Sequence, residues 1–241
     1  AMPMPAADLD VRNLSAGYGQ THVLEDVSFS VPAGERLAIL GRNGMGKTTL
    51  MASLMGLTRR YAGSISLGGQ DVTALGTAAR AHGGIGLVPQ TREIFKSLTV
   101  EENLFVGLKG RPRSAIDESY ALFPRLAERR RNLGSQLSGG EQQMLATART
   151  ILGQPSVLLL DEPLEGLAPV ICDMLMEAFT RLAASGAMTI LFVEQRLESA
   201  LGFAQDVIIL ERGRIVWSGT SAALRADGDV LERYIGVGGL H

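Results

Sequence analysis

The chain has 241 residues, 46% of them hydrophobic, with 23 basic and 25 acidic side chains and a formal net charge of −2. That length suits one α/β domain or two small ones, and the charge balance excludes a general nucleic-acid binder, which presents a strongly basic face. No apolar stretch approaches the roughly 18 residues of a membrane-spanning helix. The opening Ala1-Met2-Pro3-Met4-Pro5 lacks the basic start and apolar core of a signal peptide, so a cytosolic location is expected. The single cysteine, Cys172, excludes an intramolecular disulfide and is expected to be a reduced, partly buried thiol.

Short strands are predicted at residues 9–14 and 27–31, each bounded by turn residues. The apolar run 37–40 reads as a buried strand, and after it comes a helix carrying Leu50, Leu54 and Leu57. Residues 63–67 form the next strand before the turn Gly68-Gly69, and a strand at 85–88 ends at Pro89-Gln90. From residue 99 to 152 strand patterns vanish. Helical spacing appears there at Ile116, Tyr120 and Phe123 until Pro124 interrupts it, which marks a helical insert. Residues 157–160 and 189–193 are continuous apolar runs of the kind buried in a parallel sheet. The helix between them places Ile171, Leu175, Ala178 and Leu182 on one face. Residues 207–210 and 214–217 read as a hairpin turning at Arg212-Gly213, with Trp217 as a packing residue.

The segment Gly41-Arg42-Asn43-Gly44-Met45-Gly46-Lys47-Thr48 matches the phosphate-loop pattern G-x-x-x-x-G-K-[ST] at every specified position, and it follows a predicted strand. Glycines let the backbone curl so that successive N–H groups face phosphate oxygens, and the helix opening near Lys47 adds the positive end of its dipole. Lys47 supplies a charge for the β- and γ-phosphates, the Thr48 hydroxyl is placed to ligate Mg²⁺, and Thr49 completes the loop. The ligand this implies is a nucleoside triphosphate, ATP with Mg²⁺.

The run at 157–160 ends in Asp161-Glu162. Behind a phosphate loop, this puts Asp161 beside the metal and makes Glu162 the candidate base for an attacking water. Gln90, at the end of another strand, can ligate the metal through its amide oxygen. Tyr18, in the glycine-flanked loop Gly17-Tyr18-Gly19, is read as exposed and able to stack on a base. Ile94, Phe95 and Leu98 either line a groove for a partner helix or belong to the core.

Leu137-Ser138-Gly139-Gly140-Glu141-Gln142-Gln143 offers a hydroxyl and backbone N–H donors at a helix start; alone, Ser138 could be only an N-cap. With its neighbours it resembles the signature motif of ATP-binding cassette ATPases, and the chain carries that family's motifs in order: Tyr18, the phosphate loop, Gln90, the signature, Asp161-Glu162 and a switch position at Gln195. The resemblance implies a P-loop NTPase core with a mostly parallel sheet, an N-terminal antiparallel β subdomain, and an α-helical subdomain inserted at about residues 92–152 of a single nucleotide-binding domain. It also implies ATP hydrolysis. Two subunits would pack head to tail, so that Ser138, Gly139 and Gly140 of one close over the γ-phosphate held by the other.

Two departures from the family pattern narrow the resemblance. Gln195 stands where many members have histidine, and Ala168 stands where aspartate is frequent. Together with Val88-Pro89-Gln90, Arg92-Glu93-Ile94-Phe95 and Glu165-Gly166-Leu167-Ala168-Pro169, they look like the second ATPase of branched-chain amino acid importers. Leu164 and Arg196 depart from that subgroup's small polar residue and asparagine. The implied protein is a homodimer, or a heterodimer with a paralogous ATPase, on the inner face of the plasma membrane. It would be bound to integral-membrane permease subunits and through them to a substrate-binding protein. A related urea or amide importer is the alternative. A soluble cassette protein is disfavoured because the helical insert has no room for a long coiled coil.

Overall fold

The computed structural model describes residues 4–236. Strands β1 (Leu9–Tyr18) and β2 (Thr21–Val31) form a hairpin, and β3 (Arg36–Leu40) leads through a loop into α1 (Lys47–Leu54). Next come β4 (Arg59–Leu67), β5 (Gln70–Asp71), α2 (Thr77–His82) and β6 (Ile85–Val88). A helical stretch then carries α3 (Val100–Gly107), α4 (Asp117–Leu122), α5 (Pro124–Glu128) and α6 (Gly139–Leu152). The chain continues through β7 (Val157–Asp161), α7 (Pro169–Ala184), β8 (Thr189–Val193), α8 (Leu197–Phe203), β9 (Asp206–Glu211), β10 (Arg214–Thr220) and α9 (Ser221–Ala226).

These strands make two sheets. One is antiparallel, in the order β2-β1-β4-β5; the other runs β10-β9-β3-β8-β7-β6, parallel except for the β9–β10 hairpin at its edge. The apolar runs in the parallel strands follow from having both faces covered. Ala38, Leu40, Leu158, Leu160, Ile190 and Phe192 pack with α6 and α7. Their alternating neighbours Leu37, Ile39, Val157, Leu159, Leu191 and Val193 pack with α1 and the antiparallel sheet. Each leucine, isoleucine, valine or phenylalanine among them, when fully buried, contributes about 1.5–3 kcal/mol of transfer free energy.

The stretch from α3 to α6 lies between β6 and β7 in the chain and is helical apart from one bridge, Thr99 to Leu133. Thr99 opens α3 with a reciprocal cap: its hydroxyl accepts from Glu102 N at 3.1 Å, and its own N–H donates to Glu102 Oε2 at 2.8 Å. As the sequence predicts, the helical spacing breaks at Phe123 and α5 restarts with Pro124 in its first position, where a missing N–H costs nothing. Trp217 packs, partly buried, against the larger core.

Three local expectations are corrected. Leu57 lies beyond α1 and is exposed, because Gly56 takes a left-handed φ of 76° and ends the apolar stripe. Cys172 is fully buried, since it shares the inward face of α7 with Leu175 and sits 3.7 Å from the carbonyls of Leu164 and Leu167. Tyr18 is not in a loop: β1 continues through it to pair with Thr21, and the turn begins only at Gly19, with φ 59°.

Arg80 on α2 is 4% exposed and has no acidic partner among the described residues. Its guanidinium donates to the carbonyls of Ser53 and Leu54 at the end of α1 (2.8 and 2.9 Å), and to those of Thr73 and Leu75 (2.9 and 2.8 Å). Four carbonyl dipoles, two of them at the negative end of a helix, take the place of a carboxylate.

Candidate active site

At the end of β3 the backbone turns through Gly41, Gly44 and Gly46 with φ of 154°, 78° and 105°. A side chain at Gly41 would collide with the backbone carbonyl of Leu210, so the loop is pressed against the end of β9. Gly46 opens α1 with no side-chain cap, leaving the first N–H groups of the helix available to an anion.

Lys47 is 4% exposed. Its Nζ donates to the carbonyls of Gly41 (2.5 Å) and Arg42 (2.8 Å) and lies 4.0 Å from Glu162 Oε1. Burial holds its pKa below the ordinary lysine value, against the pull of Glu162, Asp161 and Glu194. Thr48 Oγ1 donates to Asp161 Oδ1 at 3.4 Å. Asp161 closes β7, buried, and burial pushes its pKa up to about 6 even though the Thr48 hydroxyl opposes the shift.

Glu162 follows in a left-handed conformation, φ 47°, that ends the strand. Its N–H donates to Val193 O at 2.8 Å, and its carboxylate is held from two sides: Oε1 accepts from Gln195 Nε2 at 3.1 Å and Oε2 from Gln90 Nε2 at 3.0 Å. Gln195 Nε2 also donates to Asn43 Oδ1, and Gln90 Nε2 to Glu165 Oε2. A cleft of about 320 Å³ lies between the phosphate loop (Asn43, Gly44, Gly46, Lys47, Thr48, Thr49) and a wall of Gln90, Glu162 and Glu165, while Gln195 lines a smaller recess on the other side of Asn43 with Gly41 and Glu194.

The donor set suits a hard divalent cation. The carboxylate of Asp161, buried with its charge disfavoured by burial although Lys47 lies near, stands with a hydroxyl and an amide side chain, all oxygen ligands. Among the described residues no group of three or more His, Cys, Asp or Glu could hold a metal.

Besides Gln195, two expected elements lie away from this cleft. Tyr18, half exposed, does not line it. Nor do Ser138, Gly139 and Gly140 at the head of α6, where Ser138 Oγ accepts from Glu141 N at 3.2 Å and Ser138 N donates to Glu141 Oε2 at 2.9 Å. Glu141 is in turn held by Arg125 and Arg129, at 2.9 and 3.3 Å. Ser138 is therefore an N-cap, yet it is exposed.

The sequence profile of the ABC transporter family matches residues 24–165. The chain is 40% identical to the high-affinity branched-chain amino acid transport ATP-binding protein BraG of Pseudomonas aeruginosa, over 95% of this chain and 99% of that protein. It belongs to the ABC transporter family. It is also 34% identical to the lipopolysaccharide export system ATP-binding protein LptB of Haemophilus influenzae, over 95% and 97% of the two chains. A nucleotide-free ATP-binding cassette from an ABC transporter shares the fold, with a TM-score of 0.83 at 24% identity over 96% and 99% of the chains. This ABC protein is thus the ATPase subunit of a transporter and hydrolyses ATP; such subunits work with membrane permease components.

Three residues of the ABC site escaped the sequence reading. Val23 lines the cleft from β2, and no local pattern signals it. Glu165 lies in the turn after Glu162 and engages Gln90; a third acid within five residues of Asp161 was the available signal. Glu194 is buried, with Oε1 accepting from the N–H groups of Gln195 (2.9 Å) and Arg196 (3.1 Å) and Oε2 unpartnered, and burial raises its pKa. Its place at the end of an apolar strand, one residue before the switch position, was the clue.

Proposed function

We propose that this chain energises an importer of branched-chain or other hydrophobic amino acids. The observation that carries the reading is the 40% identity to BraG over nearly the whole of both chains. In this reading residues 1–241 form one nucleotide-binding domain, with a helical unit at about 92–152. It sits peripherally on the cytoplasmic face of the membrane; no described helix is long and apolar enough to cross it.

The exposed Ser138 and its distance from the cleft support a head-to-tail dimer, with this chain or a paralogue, in which Ser138, Gly139 and Gly140 of the second subunit complete the phosphate site. Lys47, resting on the carbonyls of Gly41 and Arg42, transfers its hydrogen bonds to the β- and γ-phosphates. The N–H groups at Gly44, Gly46 and the start of α1, with the Thr49 backbone, cradle the phosphate chain. Tyr18 stacks on adenine. Thr48, Asp161 and Gln90 would hold Mg²⁺, which when bound neutralises phosphate charge. Glu162 takes a proton from the attacking water, and Gln195 fixes the orientation of that carboxylate with one amide hydrogen and turns the other from Asn43 to a γ-phosphate oxygen.

A second reading, export of a lipid-linked glycan, is favoured by the 34% identity to LptB. Copurification from native membranes followed by reconstitution separates the two. ATPase activity stimulated several-fold by a leucine-loaded binding protein, with leucine accumulating inside vesicles, is the expected result. Stimulation by urea or a short amide redirects the reading within importers, and glycolipid extraction without uptake overturns it.

A further inference from the structure

Gln90 and Arg92, on one segment after β6, both end on Glu165. The Gln90 amide NH₂ donates to Glu162 Oε2 at 3.0 Å and to Glu165 Oε2, and Arg92 Nη2 donates to the backbone carbonyl of Glu165 at 3.1 Å. Glu165 is itself fixed, its N–H donating to Glu162 O at 3.2 Å.

A glutamine side chain has one donor end and one acceptor end, and which faces the reaction depends on what its neighbours accept or donate. Ionised carboxylates only accept. With Glu162 and Glu165 both receiving the Gln90 NH₂, both of its hydrogens are committed, and the amide oxygen is the end left for another ligand. Were Glu165 absent, one carboxylate would hold the amide by a single hydrogen bond, and rotation about the terminal torsion, which is soft, would bring NH₂ and oxygen into competition.

We infer that Glu165 is a positioning residue for ATP hydrolysis, which orients the Gln90 amide so that its oxygen faces the metal-nucleotide. This rests on the reading of Gln90 as a metal ligand. Glu165 itself touches neither phosphate nor water in this scheme. Its side chain is exposed, so its removal leaves the core intact.

The test uses the full-length chain with ATP and titrated Mg²⁺, together with electron paramagnetic resonance of Mn²⁺ binding in the presence of a non-hydrolysable ATP analogue. Glu165→Ala should raise the Mg²⁺ concentration for half-maximal hydrolysis by about 2- to 13-fold, the value of one hydrogen bond, and weaken Mn²⁺ binding in parallel. The shift in Mg²⁺ requirement should exceed any change in metal-free ATP affinity. Glu165→Gln, whose amide oxygen still accepts from Gln90, should recover most of the loss. Because Glu165 acts through Gln90, the double variant Gln90→Ala with Glu165→Ala should be no worse than Gln90→Ala alone.

An unchanged Mg²⁺ requirement in Glu165→Ala, alongside a raised one in Gln90→Ala, overturns the inference and leaves the metal reading of Gln90 standing. Additive losses in the double variant also overturn it. A Gln90→Ala variant with wild-type metal dependence removes both ideas together.

Discussion

Gln195 donates from one amide nitrogen to both Asn43 in the phosphate loop and Glu162 at the end of β7, with 3.1 Å to Glu162 Oε1. Switch residue, phosphate loop and candidate base therefore form one connected unit. Gln195 has a fixed donor end, and unlike histidine it can neither become cationic nor carry a proton.

The base assignment predicts that Glu162→Gln binds ATP but hydrolyses it about 10²- to 10⁴-fold more slowly. ATP should then hold the variant in its closed, paired form. Light scattering with saturating Mg²⁺-ATP, on the chain alone and on the assembled transporter, should show the dimer accumulating in the variant; a monomer in both settings would count against head-to-tail pairing.

Gln195→Ala removes an uncharged donor and no proton-transfer group. The loss of one hydrogen bond is worth about 0.5–1.5 kcal/mol, so turnover should fall by about 2- to 13-fold, far less than in Glu162→Gln. Steady-state rates of the two variants, compared in the assembled transporter, measure the gap. Equal losses would overturn the assignment of Gln195 to positioning alone and of the dominant role to Glu162.

Lys47→Ala should weaken ATP binding by at least about tenfold, since a buried charged donor is lost and no other basic residue of the loop is buried with it. Calorimetric titration with ATP reads this directly. Wild-type affinity with full turnover would remove the loop from the site.

The raised pKa of Asp161 gives a prediction about folding. Its folded value of about 6 lies above the 3.8 of an unconstrained aspartate, so between those pH values the folded chain binds more protons than the unfolded one. Without metal, stability from this group is greatest below about pH 4, falls as pH rises toward 6, and stays low above. Two pKa units set a ceiling of about 3 kcal/mol. Asp161→Asn should therefore be more stable than wild type at pH 7 in chelator, and the difference should disappear near pH 4, in chemical denaturation at the two pH values.

Much of this site was legible because its signals are local. The phosphate loop, Asp161-Glu162 and the apolar strands before them are contiguous, and the two-core sandwich accounts for their unbroken hydrophobicity. What escaped depends on pairs far apart in sequence. The link from Gln90 to Glu165 spans 75 residues and that from Gln195 to Asn43 spans 152, and neither leaves a period or spacing to read. Leu57 failed for a different reason: the helical repeat continues through it on paper, but one left-handed glycine stops the helix first.

Arg80 bears on how the phosphate-binding helix fails. An eight-residue helix ordinarily frays from its ends at little cost, which makes its termini the first amides to open. Here the far end of α1 cannot unwind without stripping Ser53 and Leu54 carbonyls from a buried guanidinium that also grips Thr73 and Leu75. Fraying is thereby coupled to separation of α2 from α1, so α1 should open only in a larger cooperative unit that includes both, rather than one turn at a time.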